Sequence, residues 1–304
     1  MRISELPEEE FLLPGNAACH GCSSTLCLRV VLKALGKRTV LVIPASCSSV
    51  YQGMFPKSAI AVPVINTAFA SAAATASGVK AALLERGVDA NVVVWAGDGG
   101  TYDIGLQSLS GAAERGEDMI YICYNNEMYS NTGVQRSGAT PYGAWTNTTL
   151  SGKKEHRKDV TEIMISHGAS YVATASAGYL LDLYKKVRKA RRISGFRYIE
   201  ILTPCPPGWK FPMSKSVEIA KLAVETGMWI LYEYEEGKIK LTGVSKAIAE
   251  GKRRRKRVEE YLFSQGRFSH LSSEDVFEIE RWIEDRWRRI LGRNVYAAPA
   301  EFYV

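Results

Sequence analysis

The sequence predicts an α/β fold, with a mostly parallel sheet, helices on both faces of that sheet, and a C-terminal hairpin and helical extension. Short apolar runs alternate with segments of helical periodicity through the first two thirds of the chain. Strands that are apolar on both faces are typical of a parallel sheet buried between two layers of helices. The alternation stops near residue 213, so we predict one domain over residues 1–213 and an extension over residues 214–304.

The elements follow in order along the chain. The strands of the first domain are predicted from five apolar runs: Thr39–Ile43, Val92–Trp95, Met119–Tyr124, Tyr171–Thr174 and Tyr198–Leu202. Helical periodicity predicts the helices between them: Ser24–Leu35, Ala68–Arg86, Asp103–Glu117, Val160–His167 and Gly178–Arg192. The extension is predicted to hold a helix, two hairpin strands and a terminal helix: Val217–Thr226, Trp229–Tyr234, Lys238–Leu241 and Ser273–Leu291.

Composition excludes several function classes. Apolar residues make up 46% of the chain and charged residues 23%, which is ordinary for a globular protein. No apolar run reaches the ~18 residues that a membrane-spanning helix needs. The acidic N-terminus does not resemble a signal peptide, so we expect a cytoplasmic protein. The net charge of +7 includes a basic run at residues 252–257, which we interpret as a solvated segment, because no nucleic-acid motif accompanies it.

One strand ends in a stretch that resembles a nucleotide-binding turn but lacks its motifs. Residues 92–105 read VVVWAGDGGTYDIG. Tyr102 stands where a dinucleotide fingerprint needs its third glycine, and the Gly-Lys-Ser/Thr of a phosphate loop is absent. Asp98, between two glycines at the end of a buried strand, therefore needs another explanation.

The spacing to the next strand supplies one. Gly99 and Asn125 are separated by 25 residues, the length of one strand–helix–strand unit. If the two parallel strands are neighbours, Asp98 and Asn126 converge at the same edge of the sheet. Carboxylate and amide oxygens suit Mg²⁺, the surrounding glycines allow close approach of a diphosphate, and a helix beginning near Asp103 directs its amides to the same place. These residues predict a metal–diphosphate site.

The cysteines suggest a second site. Cys19 and Cys22 form a C-x-x-C, while Cys47 and Cys205 each follow a predicted strand. Four such thiolates suit either a [4Fe–4S] cluster or a tetrahedral zinc ion, and spacing alone leaves both open. The prolines beside Cys205 are expected to fix an extended backbone. The other two cysteines, at positions 27 and 123, have core spacing and are predicted to be buried packing residues.

The wider pattern resembles a known family. GDG followed by 25 residues and NN resembles the thiamine diphosphate motif. The stretch from GDGGTYDIG to NNEMYSNTGVQRSGATPYGA is similar to the thiamine-binding β subunits of 2-oxoacid:ferredoxin oxidoreductases, with the pyruvate enzymes closest. This resemblance covers about residues 14–268.

The resemblance implies a thiamine diphosphate-binding fold and assigns roles to residues. Mg²⁺ would be held by Asp98, the Asn126 side chain and the Met128 carbonyl. Asn131 would act beside the thiazolium ring and the substrate as the catalytic residue. The cofactor-binding set is Gly97, Asp98, Gly99, Gly100, Asn126, Met128, Ser130, Asn131 and Cys47. The resemblance selects a [4Fe–4S] cluster for Cys19, Cys22, Cys47 and Cys205, so that residues 1–213 form the domain that binds all three cofactors.

The implied activity is thiamine-dependent oxidative decarboxylation of a 2-oxoacid, with pyruvate favoured, to acyl-CoA and CO₂, while the cluster passes electrons to ferredoxin. No motif supplies the glutamate that activates thiamine. The family obtains it, with substrate contacts, from an α subunit; γ and δ subunits or ferredoxin are further expected partners. Branched-chain 2-oxoacids or oxalate remain alternative substrates. A non-redox thiamine enzyme with structural zinc and a non-catalytic electron-transfer or scaffold subunit remain alternative functions.

Overall fold

In a computed structural model, which describes residues 3–292, one eight-stranded sheet forms the centre of the molecule. The strand order is β2-β1-β3-β4-β6-β5-β7-β8. The strands are β1 (Thr39–Pro44), β2 (Val64–Thr67), β3 (Asn91–Gly97), β4 (Met119–Asn125), β5 (Tyr171–Ser176), β6 (Phe196–Leu202), β7 (Tyr232–Glu235) and β8 (Lys238–Leu241).

The first six strands are parallel, as the apolar runs predict. β3 and β4 are direct neighbours, with Gly97 opposite Tyr124. Their carboxyl ends therefore lie side by side, as the predicted meeting of Asp98 and Asn126 requires. β4, β5 and β6 are buried along their whole length, which follows from their cover of helices on both faces. β2 was not predicted, because it is a four-residue edge strand without an apolar run.

Eleven α-helices cover the sheet in the described part of the chain. They are α1 (Ser23–Leu35), α2 (Cys47–Gln52), α3 (Ala72–Glu85), α4 (Leu106–Glu114), α5 (Val160–Ser166), α6 (Leu180–Ala190), α7 (Pro206–Trp209), α8 (Ser216–Glu225), α9 (Gly243–Ala249), α10 (Val258–Leu262) and α11 (Ser273–Gly292). α1 and α6 pack together over one face of the sheet. α3, α4 and α5 lie in the hydrophobic core of the other face.

Two predicted helices differ from the observed ones at their N-terminal ends. The segment expected to be helical from Ala68 begins with a 3₁₀ turn at Phe69–Ser71 and becomes α-helical only at α3. The helix expected from Asp103 begins earlier, as a π-helical turn at Gly99–Asp103 that leads into α4. Glycine-rich sequence has poor helix propensity, and the tertiary setting of the turn overrides it.

The residues after 213 continue the main structure. β7 pairs antiparallel with β5 and with β8, so the predicted hairpin extends the sheet. α10 and α11 bury side chains in the same core as α3 and α4. The domain boundary at residue 213 stays a prediction.

Charges of the basic run are largely paired within the chain. Arg253 and Lys256 bind Glu225, and Arg255 binds Glu284. This pairing leaves less free positive charge than the sequence suggests. Among residues 3–292, no helix combines the length and hydrophobicity needed to cross a membrane.

Candidate functional site

Four neighbouring strands end in the residues that the sequence singles out. β1, β3, β4 and β6 are adjacent in the sheet. Cys47, Asp98, Asn126 and Cys205 follow their respective carboxyl ends. The Asn126 backbone N–H donates a hydrogen bond of 3.1 Å to Asp98 Oδ1. The predicted convergence of Asp98 and Asn126 is therefore confirmed, and the cysteine segments lie at the same edge.

Asp98 is a completely buried carboxyl group. The Ser137 hydroxyl donates to its Oδ2 at 2.6 Å. Burial raises the pKa of the Asp98 carboxyl to about 8, although the bonds from Ser137 and the Asn126 N–H oppose the shift. No lysine or arginine forms an ion pair with Asp98 in the described chain. A buried carboxylate of this kind is stabilised by a cation, so this environment fits a metal ligand.

The Asn126 side chain provides a second indication of a cation site. One end of its amide lies 2.7 Å from the Met128 carbonyl oxygen, 2.9 Å from Ser130 Oγ and 3.2 Å from Asp98 Oδ1. With the NH₂ group at this end, the amide donates to these oxygens. With its oxygen there, Asn126, Met128 and Asp98 turn three oxygens towards one another, which is a ligand set for a hard cation such as Mg²⁺.

A cavity of about 150 Å³ adjoins these oxygens. Its walls include the predicted cofactor-binding residues Gly97, Asp98, Gly99, Gly100, Asn126, Met128, Ser130, Asn131 and Cys47. A Cβ atom at Gly99 would lie 2.3 Å from the Tyr129 ring, so only glycine fits there. The helical turn begins at Gly99, directly after Asp98, and not at Asp103 as predicted. The first backbone amides of the turn therefore belong to residues that line the cavity. The glycine-lined wall and the helical start suit a diphosphate.

A second cavity, of about 220 Å³, is lined by the four predicted cluster ligands Cys19, Cys22, Cys47 and Cys205. Within residues 3–292, no three His, Cys, Asp or Glu side chains lie close enough together to hold a metal ion. The four thiols line one space, and thiolates of this kind suit either a [4Fe–4S] cluster or a zinc ion.

The cysteine segments have defined local structure. Cys22 and Cys205 are the N-cap residues of α1 and α7, and Cys47 is the first residue of α2. The extended backbone expected beside Cys205 is wrong beyond Cys205 itself, because Pro206 begins the helix α7; proline suits a first helical turn. Burial and the other thiols raise the pKa of Cys47 to about 12, so a bound metal cation would be needed to hold its thiolate. The thiols at positions 27 and 123 are fully buried, as predicted.

The two cavities lie side by side. Cys47, Asn126, Ser130 and Asn131 line both of them. Groups bound in the two cavities would thus contact a common set of side chains. No glutamate and no lysine or arginine is among the described residues that line either cavity.

Sequence reasoning missed some side chains at the site. Ser137 lies 39 residues beyond Asp98 in an irregular segment, and no local pattern marks it. Tyr129 closes the first cavity, and its hydroxyl donates to the Gly99 carbonyl and to Asp103 Oδ2, each at 3.0 Å. Only the fold brings these residues to Asp98.

Comparisons with known proteins agree with this geometry. Residues 45–201 match the family model described as thiamine pyrophosphate enzyme, C-terminal TPP binding domain. The chain is 51% identical over 286 residues to pyruvate synthase subunit PorB of Methanothermobacter marburgensis, covering 92% of this chain and 97% of the relative. It is 47% identical over 296 residues to ketoisovalerate oxidoreductase subunit VorB of Pyrococcus furiosus, covering 94% of each.

A solved structure shares the fold. It is a 2-oxoglutarate:ferredoxin oxidoreductase from Magnetococcus marinus, which matches with a TM-score of 0.58 and 22% identity over 71% of this chain and 82% of that chain.

Proposed function

Because the chain belongs to the thiamine diphosphate-binding subunits of the 2-oxoacid:ferredoxin oxidoreductases, we propose that it carries the Mg²⁺–thiamine diphosphate site and a [4Fe–4S] cluster of a pyruvate-oxidising enzyme. The complete enzyme converts pyruvate and coenzyme A to acetyl-CoA and CO₂ and passes electrons through the cluster to ferredoxin. Membership of this family replaces the alternatives of a non-redox thiamine enzyme and a non-catalytic scaffold.

The observation that carries the proposal is the shared wall between the two cavities. Bound thiamine diphosphate supplies the nucleophilic carbon and the electron sink that decarboxylation of a 2-oxoacid requires. Electrons then need an acceptor close by, and the cavity lined by Cys19, Cys22, Cys47 and Cys205 adjoins the thiamine cavity directly. The layout thus matches a reaction in which decarboxylation and electron removal occur within one chain.

The residues of this chain divide the work of binding and orientation. Asp98, the Asn126 amide oxygen and the Met128 carbonyl would hold Mg²⁺, and the Ser137 hydroxyl donates to the Asp98 carboxylate that would bind it. Gly97, Gly99 and Gly100 let the wall of the first cavity pack closely against the rings of Tyr124, Tyr129 and Phe69, and the backbone of this wall would face the diphosphate. Asn131 is partly exposed to both cavities, where its amide can donate a hydrogen bond to the substrate.

A partner must complete the active site. Thiamine activation needs a carboxylic acid at the pyrimidine ring, and a 2-oxoacid carboxylate needs a cationic partner. Since neither a glutamate nor a basic residue is among the described residues that line the cavities, we assign both to an α subunit, with γ and δ subunits or ferredoxin receiving the electrons. Alone, this chain is then inactive. We place the enzyme in the cytoplasm, without a membrane or nucleic-acid partner.

Metal content and substrate use test the proposal together. The enzyme is purified anaerobically with its partner subunits, and iron, acid-labile sulfide, zinc, magnesium and thiamine diphosphate are measured per β chain. At least about four irons and four sulfides are expected, because subunits that receive electrons add redox centres of their own. Reduction of a low-potential dye is then compared with pyruvate, 2-oxoisovalerate and oxalate, with and without coenzyme A. Zinc without iron would refute the proposed electron path. Faster turnover of 2-oxoisovalerate than of pyruvate would show that the substrate is the branched-chain 2-oxoacid.

A further inference from the structure

The turn that follows β4 has an unusual backbone. Glu127, which stands between the proposed ligands Asn126 and Met128, has a φ of +63°, in the left-handed region that side-chain-bearing residues rarely adopt. Its backbone is held on both sides: its N–H donates to Asn125 Oδ1 at 2.8 Å, and its carbonyl accepts from Thr140 Oγ1 at 2.6 Å. Such strain persists only where the surroundings over-determine it, and here it turns both neighbours towards Asp98.

A fully buried arginine secures the side chain of this strained residue. Arg267 Nη2 donates to Glu127 Oε2 at 2.6 Å, and Arg267 Nε donates to Gln265 Oε1 at 2.9 Å. Both side chains are almost inaccessible to solvent, and the other carboxylate oxygen of Glu127 pairs at 3.6 Å with Nη1 of the buried Arg157. A buried ion pair adds little net stability, because desolvation offsets the attraction between the charges. The main effect of this ion pair is therefore to hold the Glu127 side chain in one position.

The same guanidinium group lies on a tryptophan that contacts the turn. Arg267 Cζ lies 3.6 Å from the centre of the buried Trp209 ring. Trp209 Nε1 donates to the Asn126 carbonyl at 2.7 Å. Trp209 ends α7, whose N-cap is Cys205, and a Cβ atom at Gly208 would lie 2.3 Å from Met128 Sδ. One packed unit thus contacts both proposed metal-ligand residues and the segment of a proposed cluster ligand.

We propose that Arg267 is a positioning residue for the metal site: through Glu127 and Trp209 it holds the 126–128 turn with the Asn126 amide and the Met128 carbonyl facing Asp98. This inference rests on the proposed Mg²⁺ site. Arg267 lies beyond residue 213, so the C-terminal part of the chain takes part in forming the cofactor site. Because Trp209 also follows Cys205, the metal turn and the cluster segment share one support.

Three variants of the complete enzyme test the proposal. Arg267→Lys keeps the positive charge but removes the planar guanidinium group, which donates to Glu127 and Gln265 and stacks on Trp209. Trp209→Phe keeps a ring beneath Arg267 and removes the N–H bond to Asn126. Arg197→Lys is the matched control, since Arg197 is also buried and ion-paired, to Asp118 at the opposite end of the strands.

Mg²⁺ binding is measured by calorimetric titration of the enzyme stripped of metal and thiamine diphosphate, at saturating thiamine diphosphate. Loss of a group that orients metal ligands typically weakens metal affinity 10–100-fold. We expect that range for Arg267→Lys and Trp209→Phe, with the cluster absorbance retained, and a wild-type Kd for Arg197→Lys. If Arg267→Lys does not fold, Trp209→Phe still gives the result.

Wild-type Mg²⁺ affinity in Trp209→Phe and in folded Arg267→Lys would overturn the proposal, as would an equal loss in Arg197→Lys. Failure of the proposed function has a different signature. In that case the wild-type enzyme would bind thiamine diphosphate equally well with and without Mg²⁺. Alternatively, the Asp98→Asn variant would bind thiamine diphosphate as tightly as the wild-type enzyme does.

Discussion

Replacing Ser137 by alanine tests how Asp98 is held for a metal ion. The Ser137 hydroxyl donates to Asp98 Oδ2 at 2.6 Å, and both side chains are completely buried. A hydrogen bond to a charged group contributes about 1.5–3 kcal/mol. The variant loses this hydrogen bond in the metal-free protein as well as in the metal-bound one. Only the difference between the two losses of free energy weakens Mg²⁺ binding. We expect the Kd for Mg²⁺ to rise about 10–100-fold, or roughly 1.4–2.7 kcal/mol.

The assay is calorimetric titration of Mg²⁺ into the stripped complete enzyme at saturating thiamine diphosphate. Ser176→Ala is the matched control, because Ser176 is equally buried and donates to the Ala220 carbonyl at 3.0 Å, away from both cavities. It should lower stability without changing Mg²⁺ affinity. A wild-type Kd in Ser137→Ala would show that Asp98 is not oriented by this bond and would refute the reasoning.

Two further predictions concern packing and pH. Gly99→Ala places a Cβ atom 2.3 Å from the Tyr129 ring, so calorimetry should show thiamine diphosphate affinity reduced at least about tenfold. Gly78→Ala is the control, because a Cβ atom there meets open space; it should keep the wild-type affinity and raise the unfolding free energy by about 0.5–1 kcal/mol. Equal thiamine diphosphate affinity in the two variants would contradict this. The hydrogen bond from Arg29 lowers the pKa of Glu10 from 4.5 to about 2, so the ion pair stabilises the fold above about pH 4.5 and ceases to do so as the pH falls through 2. The difference in urea midpoint between wild type and Glu10→Gln should accordingly shrink as the pH falls from 6 towards 2, and a constant difference would count against the pair.

The sequence predicted the fold class, the family and the meeting of Asp98 with Asn126. These predictions succeed because parallel strands bring their carboxyl ends to one edge, so that strand order and segment length fix which residues converge. Cys47 and Cys205 line one cavity for the same reason, because each follows a strand of that edge, whereas Cys19 and Cys22 reach it from the segment before α1.

Other features depend on contacts that no local pattern encodes. β2 has only four residues, too few to show a periodic pattern, and the glycine-rich turn at Gly99–Asp103 has weak helix propensity; both depend on their neighbours in the fold. Ser137 reaches the site from an irregular segment 39 residues beyond Asp98, and Arg267 from a short 3₁₀ helix 140 residues beyond Glu127. Buried polar partners of this kind are determined by tertiary geometry, which periodicity and spacing do not contain.

The central claim is that one chain holds the thiamine site and its electron acceptor in adjacent cavities. The most direct test adds pyruvate and coenzyme A anaerobically to the complete enzyme without an external acceptor and follows the visible absorbance of the cluster. We expect bleaching in wild type, and no bleaching in Asp98→Ala although its cluster absorbance before substrate is unchanged. Bleaching of Asp98→Ala as complete as that of wild type would contradict the claim.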